Sequence, residues 1–166
     1  MIVRPVRPGD DMSRLGEIVR TAYDALSGRT STPEYDLVLA DVASRSLVAT
    51  VVGAFADDDR TPLGCITYVP DATNPLAEFV DADTAGFRML GVDPEAQGHG
   101  AGRALVSWCV EQARATGRRR IVIHSTDVML TAHRLYRSFG FVRDPTKDWE
   151  PVPGLWLRSF LLDLAS

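Results

Sequence analysis

Gln97-Gly98-His99-Gly100-Ala101-Gly102, preceded by Met89-Leu90-Gly91-Val92-Asp93-Pro94-Glu95, is the stretch whose reading decides the fold of this chain. It joins an apolar, strand-like run ending near Val92 to a helical pattern beginning near Arg103. Glycines at alternate positions let the backbone curl so that successive NH groups point into one concavity, and the helix that follows adds its positive N-terminal end. Such a cradle fits a pyrophosphate. Spacing excludes two common phosphate loops. A dinucleotide fingerprint needs a glycine where Arg103 stands, and a P-loop needs a Gly-Lys-Ser/Thr ending that is absent. What remains is Gln-x-x-Gly-x-Gly, which by itself suits a glycine-rich helix start without a ligand equally well.

A second segment, Ala132-His133-Arg134-Leu135-Tyr136-Arg137-Ser138-Phe139-Gly140-Phe141, lies about one strand and one helix downstream. Ala132, Leu135, Tyr136 and Phe139 follow the i, i+3, i+4, i+7 rule of a helix with one apolar face, and Gly140 suits the left-handed residue that ends it. Periodicity puts Tyr136 on the inward stripe, where its plain reading is a core tyrosine with a satisfied hydroxyl.

Taken together, these segments resemble the GNAT superfamily of N-acetyltransferases, which carries Arg/Gln-x-x-Gly-x-Gly/Ala and Ala-x-x-Leu-Tyr-x-x-x-Gly-Phe in this order. The resemblance implies an α/β (α+β) GNAT fold. Its central mixed sheet of six to seven strands has an antiparallel first half, splayed parallel fourth and fifth strands, and about four flanking helices. It also implies acetyl-CoA as cosubstrate. The pantetheine arm would enter the splayed gap and meet backbone at Leu90, Gly91 and Val92, while Gln97, Gly98, His99, Gly100, Ala101, Gly102 and Arg103 surround the pyrophosphate. Tyr136 would be the acid that protonates the departing thiolate.

Two departures stand against the family pattern. Many members place a glutamate base in the fourth strand, in a segment like Ala-Glu-Ile-Arg-Met-Leu, whereas this chain reads Ala85-Gly86-Phe87-Arg88-Met89-Leu90. Gly86 leaves the general base unassigned. Glu78, Asp81 and Asp83 upstream and Asp127 downstream are substitutes, each read first as a solvated loop acid. His124 is read first as a structural hydrogen-bonder and second as a base. Met129 stands where members often have asparagine near the coenzyme.

Length and composition agree with one domain over residues 1–166: 45% of the 166 residues are apolar and 24% charged, ordinary values for a soluble globule with enough core to fold alone. A net charge of −4 leaves no electrostatic footprint for nucleic acid. The one basic cluster, Arg118-Arg119-Arg120, reads as favourable charge at a helix C-terminus, with a second reading in which it reaches the coenzyme's 3′-phosphate. Cys65 and Cys109 read as small core residues, which points to a reducing cytoplasm. No apolar run is long enough to span a bilayer, and no export signal is expected. His99, His124 and His133 lack zinc-site spacing, so no metal is expected.

Elsewhere the pattern alternates. Ile2 to Val6 reads as a strand, and Leu15, Ile18, Val19, Ala22 and Leu26 mark a first helix. A second is expected from the Thr32 cap and Pro33 through to about Ser44, after the loop Ser27-Gly28-Arg29-Thr30-Ser31, which the resemblance places beside the acceptor. Strands follow at Leu47 to Ala56, Leu63 to Tyr68, Ala85 to Val92, Ile121 to His124, Phe141 to Arg143 and Leu155 to Leu162, with a helix from Gly102 to Thr116. The apolar last strand suits either a homodimer interface or a monomer's sheet.

The chemistry sets its own requirements. An alkyl ammonium is neutral only about one time in a thousand at pH 7.4, an unfavourable population of roughly 4 kcal/mol that a base or a desolvating pocket must offset. The acceptor is an amine of unidentified identity. Asp71, Glu78, Asp81 and Asp83 favour a cation if they line the cleft, and Trp149 and Trp156 are candidates for an aromatic wall. With the usual glutamate missing, an acyl-CoA-binding sensor without catalysis is the alternative to an enzyme.

Overall fold

Alternation of side chains along the strands sorts the apolar residues onto two faces of one sheet. The computed structural model describes residues 1–26, 28 and 32–164. The elements run β1 (Ile2–Pro5), α1 (Met12–Asp24), α2 (Pro33–Ala40), α3 (Val42–Val48), β2 (Thr50–Phe55), β3 (Pro62–Val69), β4 (Thr84–Val92), α4 (Ala101–Ala115), β5 (Arg120–Ser125), α5 (Leu130–Ser138), β6 (Val142–Arg143), β7 (Trp149–Val152) and β8 (Leu155–Asp163). Of the loop expected at 27–31, only Gly28 lies within the described residues.

Local chemistry accounts for the helix ends. Asp11 caps α1 by accepting from the Arg14 NH at 2.9 Å, and Thr32 caps α2 by accepting from the Tyr35 NH at 3.2 Å, with Pro33 at N1. The single helix expected from Pro33 to Ser44 is instead two. At Asp41 the backbone leaves the helix (φ −90°, ψ 68°), and its carboxylate accepts from the Ser44 NH at 3.0 Å, ending α2 and starting α3. The Leu39 carbonyl that α2 leaves open and the Val38 carbonyl that the Asp41 NH already meets both accept from the buried Arg45 guanidinium, which also reaches Thr67 on β3. Because α3 continues to Val48, β2 begins at Thr50 rather than at Leu47.

Among the described residues the sheet has eight strands in the order β1-β2-β3-β4-β5-β8-β6, with β7 paired to β8. The short, proline-containing β7 and the break at Asp41 account for one more strand and one more helix than the pattern suggests. All pairings are antiparallel except that of β4 with β5. Since β8 is held by β5 on one side and by β6 and β7 on the other, it completes this chain's own sheet and is not an edge.

On one face α1, α2 and α3 bury Leu15, Val19, Leu39 and Val42 against Val51, Phe55, Cys65 and Met89. On the other, α4 buries Leu105, Val106 and Cys109 against Val52, Ile66, Phe87, Ile121 and Ile123, and Tyr136 of α5 joins that cluster. Each fully buried Leu, Ile or Phe contributes roughly 1.5–3 kcal/mol of transfer free energy, so these faces hold the sheet on either side of an opening between β4 and β5.

Candidate active site

That opening is the seam between β4 and β5. The parallel pairing is limited to Thr84 with Arg120 and Ala85 with Ile121. Beyond it the strands part, leaving the facing edges of Gly86 to Val92 and Val122 to Ser125 without a neighbouring strand. On its other edge β4 carries a bulge: Thr67 opposes Arg88 and Cys65 opposes Gly91, so Met89 and Leu90 together oppose Ile66. Met89 has φ 56°, a left-handed conformation that costs a non-glycine residue roughly 1–2 kcal/mol. The bulge turns both Arg88 and Met89 away from α4, Met89 into the α1 cluster, and leaves Leu90 and Val92 on the α4 side. Gly91 lies against Val19 of α1.

At the mouth of the seam lies the glycine loop. Gly98 and Gly100 have φ +81° and +86°, and Gly100 is the N-cap of α4 without any side-chain cap. The first turn of α4 closes with the Ala104 NH on the Gly100 carbonyl, and among the described residues no protein acceptor is found for the NH groups from Gln97 to Arg103. Gln97 to Gly100 are exposed and a Cβ at Gly98 or Gly100 would meet nothing within 4 Å. This concavity fits an anion of pyrophosphate size. Ala101 is buried, and the Arg103 side chain leaves the cradle to bond Ser138 at 2.8 Å and lie over Phe139, tying α4 to α5. His99 is exposed beside Gly98 and Gly100.

Tyr136 sits beneath the seam. Its ring touches Phe87 of β4 (5.6 Å between centroids) and Phe160 of β8 (6.1 Å), one residue from each side of the split. Burial pushes its hydroxyl well above the ordinary phenol value, so it stays protonated and is a donor. Among the described residues no protein hydrogen bond takes up that hydroxyl. Burial likewise raises Tyr23 on α1.

On the α1 face the seam opens into a cavity of about 490 Å³ lined by Glu78, Phe79, Asp81, Arg88, Val122, His124, Lys147 and Trp149 among others. The acidic segment before β4 divides in two. Glu78 pairs with Arg88 at 3.0 Å and Asp81 with Lys147 at 3.6 Å inside this cavity. Asp71 and Asp83 instead face the arginine cluster, at 4.0 Å from Arg118, 3.8 Å from Arg119 and 3.9 Å from Arg120. The cluster follows the C-terminus of the 15-residue α4, so it lies about 22 Å from the glycine cradle and does not serve a phosphate bound there. Asp127 is held by Arg158 at 2.9 Å, and Met129 accepts from Ser125 at 3.1 Å. Trp149 reaches the cavity, whereas Trp156 lies under Arg158.

Gly86 is covered. A Cβ there would stand 2.6 Å from Cε1 of Phe79 and 2.7 Å from the Val122 carbonyl, so the aromatic ring fills the space where a β4 glutamate would emerge. Sequence reasoning missed the roles of Phe79, Arg88 and Lys147. Arg88 stood within the quoted strand segment, but its ion pair with Glu78 depends on how the 70–83 loop folds back.

A split parallel pair, an NH cradle at the start of the following helix and a buried tyrosine beneath the gap lie together here. The chain belongs to the acetyltransferase (GNAT) family, whose model matches residues 15–141. It is 29% identical over 99 residues to an uncharacterized N-acetyltransferase of Schizosaccharomyces pombe, covering 60% of this chain and 56% of that protein. It is 41% identical over 61 residues to the mycothiol acetyltransferase of Beutenbergia cavernae, covering 37% of this chain and 20% of that one. The chain thus spans about half or less of these relatives' lengths. Among solved structures, a GCN5-related N-acetyltransferase from Kribbella flavida aligns with TM-score 0.71 at 25% identity over 98% of this chain and 97% of that one. The fold of yncA from Salmonella typhimurium, solved with its cofactor acetyl-CoA, matches with TM-score 0.67 at 23% identity, covering 100% and 95% of the two chains.

Proposed function

We propose that this chain is an N-acetyltransferase that moves the acetyl group of acetyl-CoA to a primary amine of a small molecule or protein by direct attack. The observation that carries this reading is the seam itself: β4 and β5 pair at two positions and then part between the glycine cradle, Tyr136 and the cavity on the opposite face. Acetyl-CoA supplies the activated thioester. The chain's own residues supply the rest.

The NH groups of Gln97 to Arg103 bind the pyrophosphate, aided by the α4 dipole. Leu90, Gly91 and Val92, on a strand edge that lacks a neighbour, offer backbone groups to the pantetheine amides and to the acetyl carbonyl, where fixed NH donors stabilise developing negative charge. Tyr136 holds its proton until the thiolate leaves, because burial disfavours the phenolate. The acceptor enters from the α1 face, past Glu78, Arg88, His124 and Trp149.

Direct attack is favoured over an acyl-cysteine route by the state of the thiols. Cys65 and Cys109 are both buried, and burial pushes Cys65 up to about 12 and Cys109 higher still, so neither offers a thiolate. Such shielded thiols also suit a reducing, cytoplasmic setting.

Free-thiol release across a panel of amines, run beside a thermal-shift titration with acetyl-CoA, tests the reading. Thermal stabilisation with acceptor-dependent release supports it. Stabilisation without release from any amine would favour an acyl-CoA sensor, and neither effect would remove acetyl-CoA from the account.

A further inference from the structure

The α1-face cavity carries two carboxylates and two cations, Glu78 and Asp81 against Arg88 and Lys147, so its formal charges cancel. Depth separates them. Asp81 and Lys147 stand 3.6 Å apart with side chains 39% and 47% exposed, a rim pair that water screens. Glu78 and Arg88 stand 3.0 Å apart with side chains only 14% and 24% exposed, so this inner pair sets the field that a ligand meets. Oε1 of Glu78 faces Nε of Arg88, whose Nη1 donates to the Leu76 carbonyl at 3.3 Å. Among the described residues neither Oε2 of Glu78 nor Nη2 of Arg88 makes a hydrogen bond. The pair therefore keeps one acceptor and one donor in reserve. Phe79, Val122 and Trp149 add an apolar wall beside it.

An ion pair in contact selects its ligand by charge separation. A lone ammonium drawn to Glu78 is repelled by the guanidinium next to it, and a lone carboxylate drawn to Arg88 is repelled by the glutamate. A ligand that bears an ammonium and a carboxylate on one carbon lays its charges antiparallel to the pair, and the four charges then alternate in sign. The guanidinium fork suits a carboxylate.

We infer that the acceptor is an α-amino acid with a large apolar side chain, its ammonium on Glu78, its carboxylate on Arg88 and its side chain against Phe79, Val122 and Trp149. The inference rests on the N-acetyltransferase reading above and narrows its amine to one chemical class. Position agrees with it. Arg88 follows Phe87 on β4, and the Phe87 ring meets Tyr136 on the opposite face, so an amine held beside Arg88 is one strand's thickness from the tyrosine and next to the seam. The cavity of about 490 Å³ has room for the side chain.

Three ligands with one carbon skeleton separate the two charges: L-phenylalanine, phenethylamine without the carboxylate, and hydrocinnamate without the ammonium. A matching trio of L-leucine, isoamylamine and isocaproate guards against a poor fit of the ring. Calorimetry on protein saturated with coenzyme A, which has no acetyl group to give, should show one of the amino acids binding at least about tenfold tighter than its two partial analogues. Arg88→Met should weaken that amino acid by roughly 10–100-fold and strengthen the matching amine, whose attraction to Glu78 is then unopposed. Glu78→Gln should do the same in favour of the matching carboxylate. A variant that merely fails to fold loses all three ligands, and the wild-type order then stands as the test by itself. With acetyl-CoA, kcat/KM for thiol release should be at least about a hundredfold higher for the amino acid than for the amine. An amine that binds and reacts as well as its amino acid overturns the inference and leaves the transferase reading intact, and so does release with other amines where neither amino acid binds. Binding in the expected order with no thiol released from acetyl-CoA sustains the ligand class and defeats the transferase reading.

Discussion

Phe79 stands on Gly86, its ring edge 2.6 Å from where a Cβ would lie, so the aromatic residue and the missing side chain are two halves of one arrangement. The family's usual carboxylate position is occupied by a neighbour from the preceding loop. Restoring the glutamate therefore does not restore a base. Gly86→Glu should lower stability by more than about 2 kcal/mol, the upper part of the overpacking range, and leave turnover no higher than wild type. In urea unfolding, Phe79→Ala added to Gly86→Ala should recover only part of the loss, since the Val122 carbonyl at 2.7 Å does not move with the ring. An active, fully stable Gly86→Glu enzyme would falsify this account.

Tyr136→Phe removes the hydroxyl and keeps the ring against Phe87 and Phe160. Turnover should fall by roughly 10²-fold or more while acetyl-CoA affinity changes less than about twofold. Burial raises this phenol, so the protonated form persists above its ordinary value, and the rate should show no alkaline decline from Tyr136 up to about pH 10. Equal turnover in both proteins under saturating substrates takes Tyr136 out of the mechanism.

Gly100→Ala probes the cradle without touching a neighbour, because a Cβ there meets nothing within 4 Å. Its φ of +86° lies beyond what an L side chain adopts comfortably, so the substitution should cost about 1 kcal/mol or more of stability through the backbone alone. Calorimetry should show acetyl-CoA binding at least about tenfold weaker if the NH groups must be held in their present directions. Unchanged affinity would place the pyrophosphate elsewhere.

Asp148 ties the base of the β7 hairpin to β8. Its carboxylate accepts from Arg143 at 2.9 and 2.8 Å and from the Ser159 NH at 2.7 Å. The Arg143 hydrogen bonds, more than burial opposes them, hold its pKa at about 2, below the ordinary 3.8. A pKa depressed by folding means that the stabilisation is complete above about pH 4 and lost as pH falls towards 2. Asp148→Asn should be less stable at pH 7 by about 1.5–3 kcal/mol and should lose less stability than wild type between pH 4 and 2. Parallel acid-unfolding curves for the two proteins would show that the clamp contributes nothing.

Much of the local structure around the glycine loop was legible in advance. Gln97 to Gly102, the apolar stripe through Tyr136 and the Thr32 cap are local patterns, and each lies where its spacing suggests. The helix expected across Asp41 failed for a local reason of its own: a carboxylate that bonds the NH three residues on competes with the helix, and a buried arginine takes up the Leu39 carbonyl left open. The cavity was legible only in part: Glu78, Asp81, His124 and Trp149 were candidates, but Phe79, Arg88 and Lys147 were not, and nothing in the spacing of these segments announces that they line one cavity.

By itself the sequence determined what depends on neighbours along the chain: the glycines that permit left-handed turns, the caps, the periodicities, and through them the family. Only the tertiary structure decided what depends on neighbours through space. It set the Phe79 ring on Gly86, paired Glu78 with Arg88, turned Asp71 and Asp83 towards the arginine cluster, and left Nδ1 of His124 without a partner. Backbone preference is a property of each residue and its near neighbours, whereas ion pairs, desolvation and steric exclusion arise only when packing brings distant segments together.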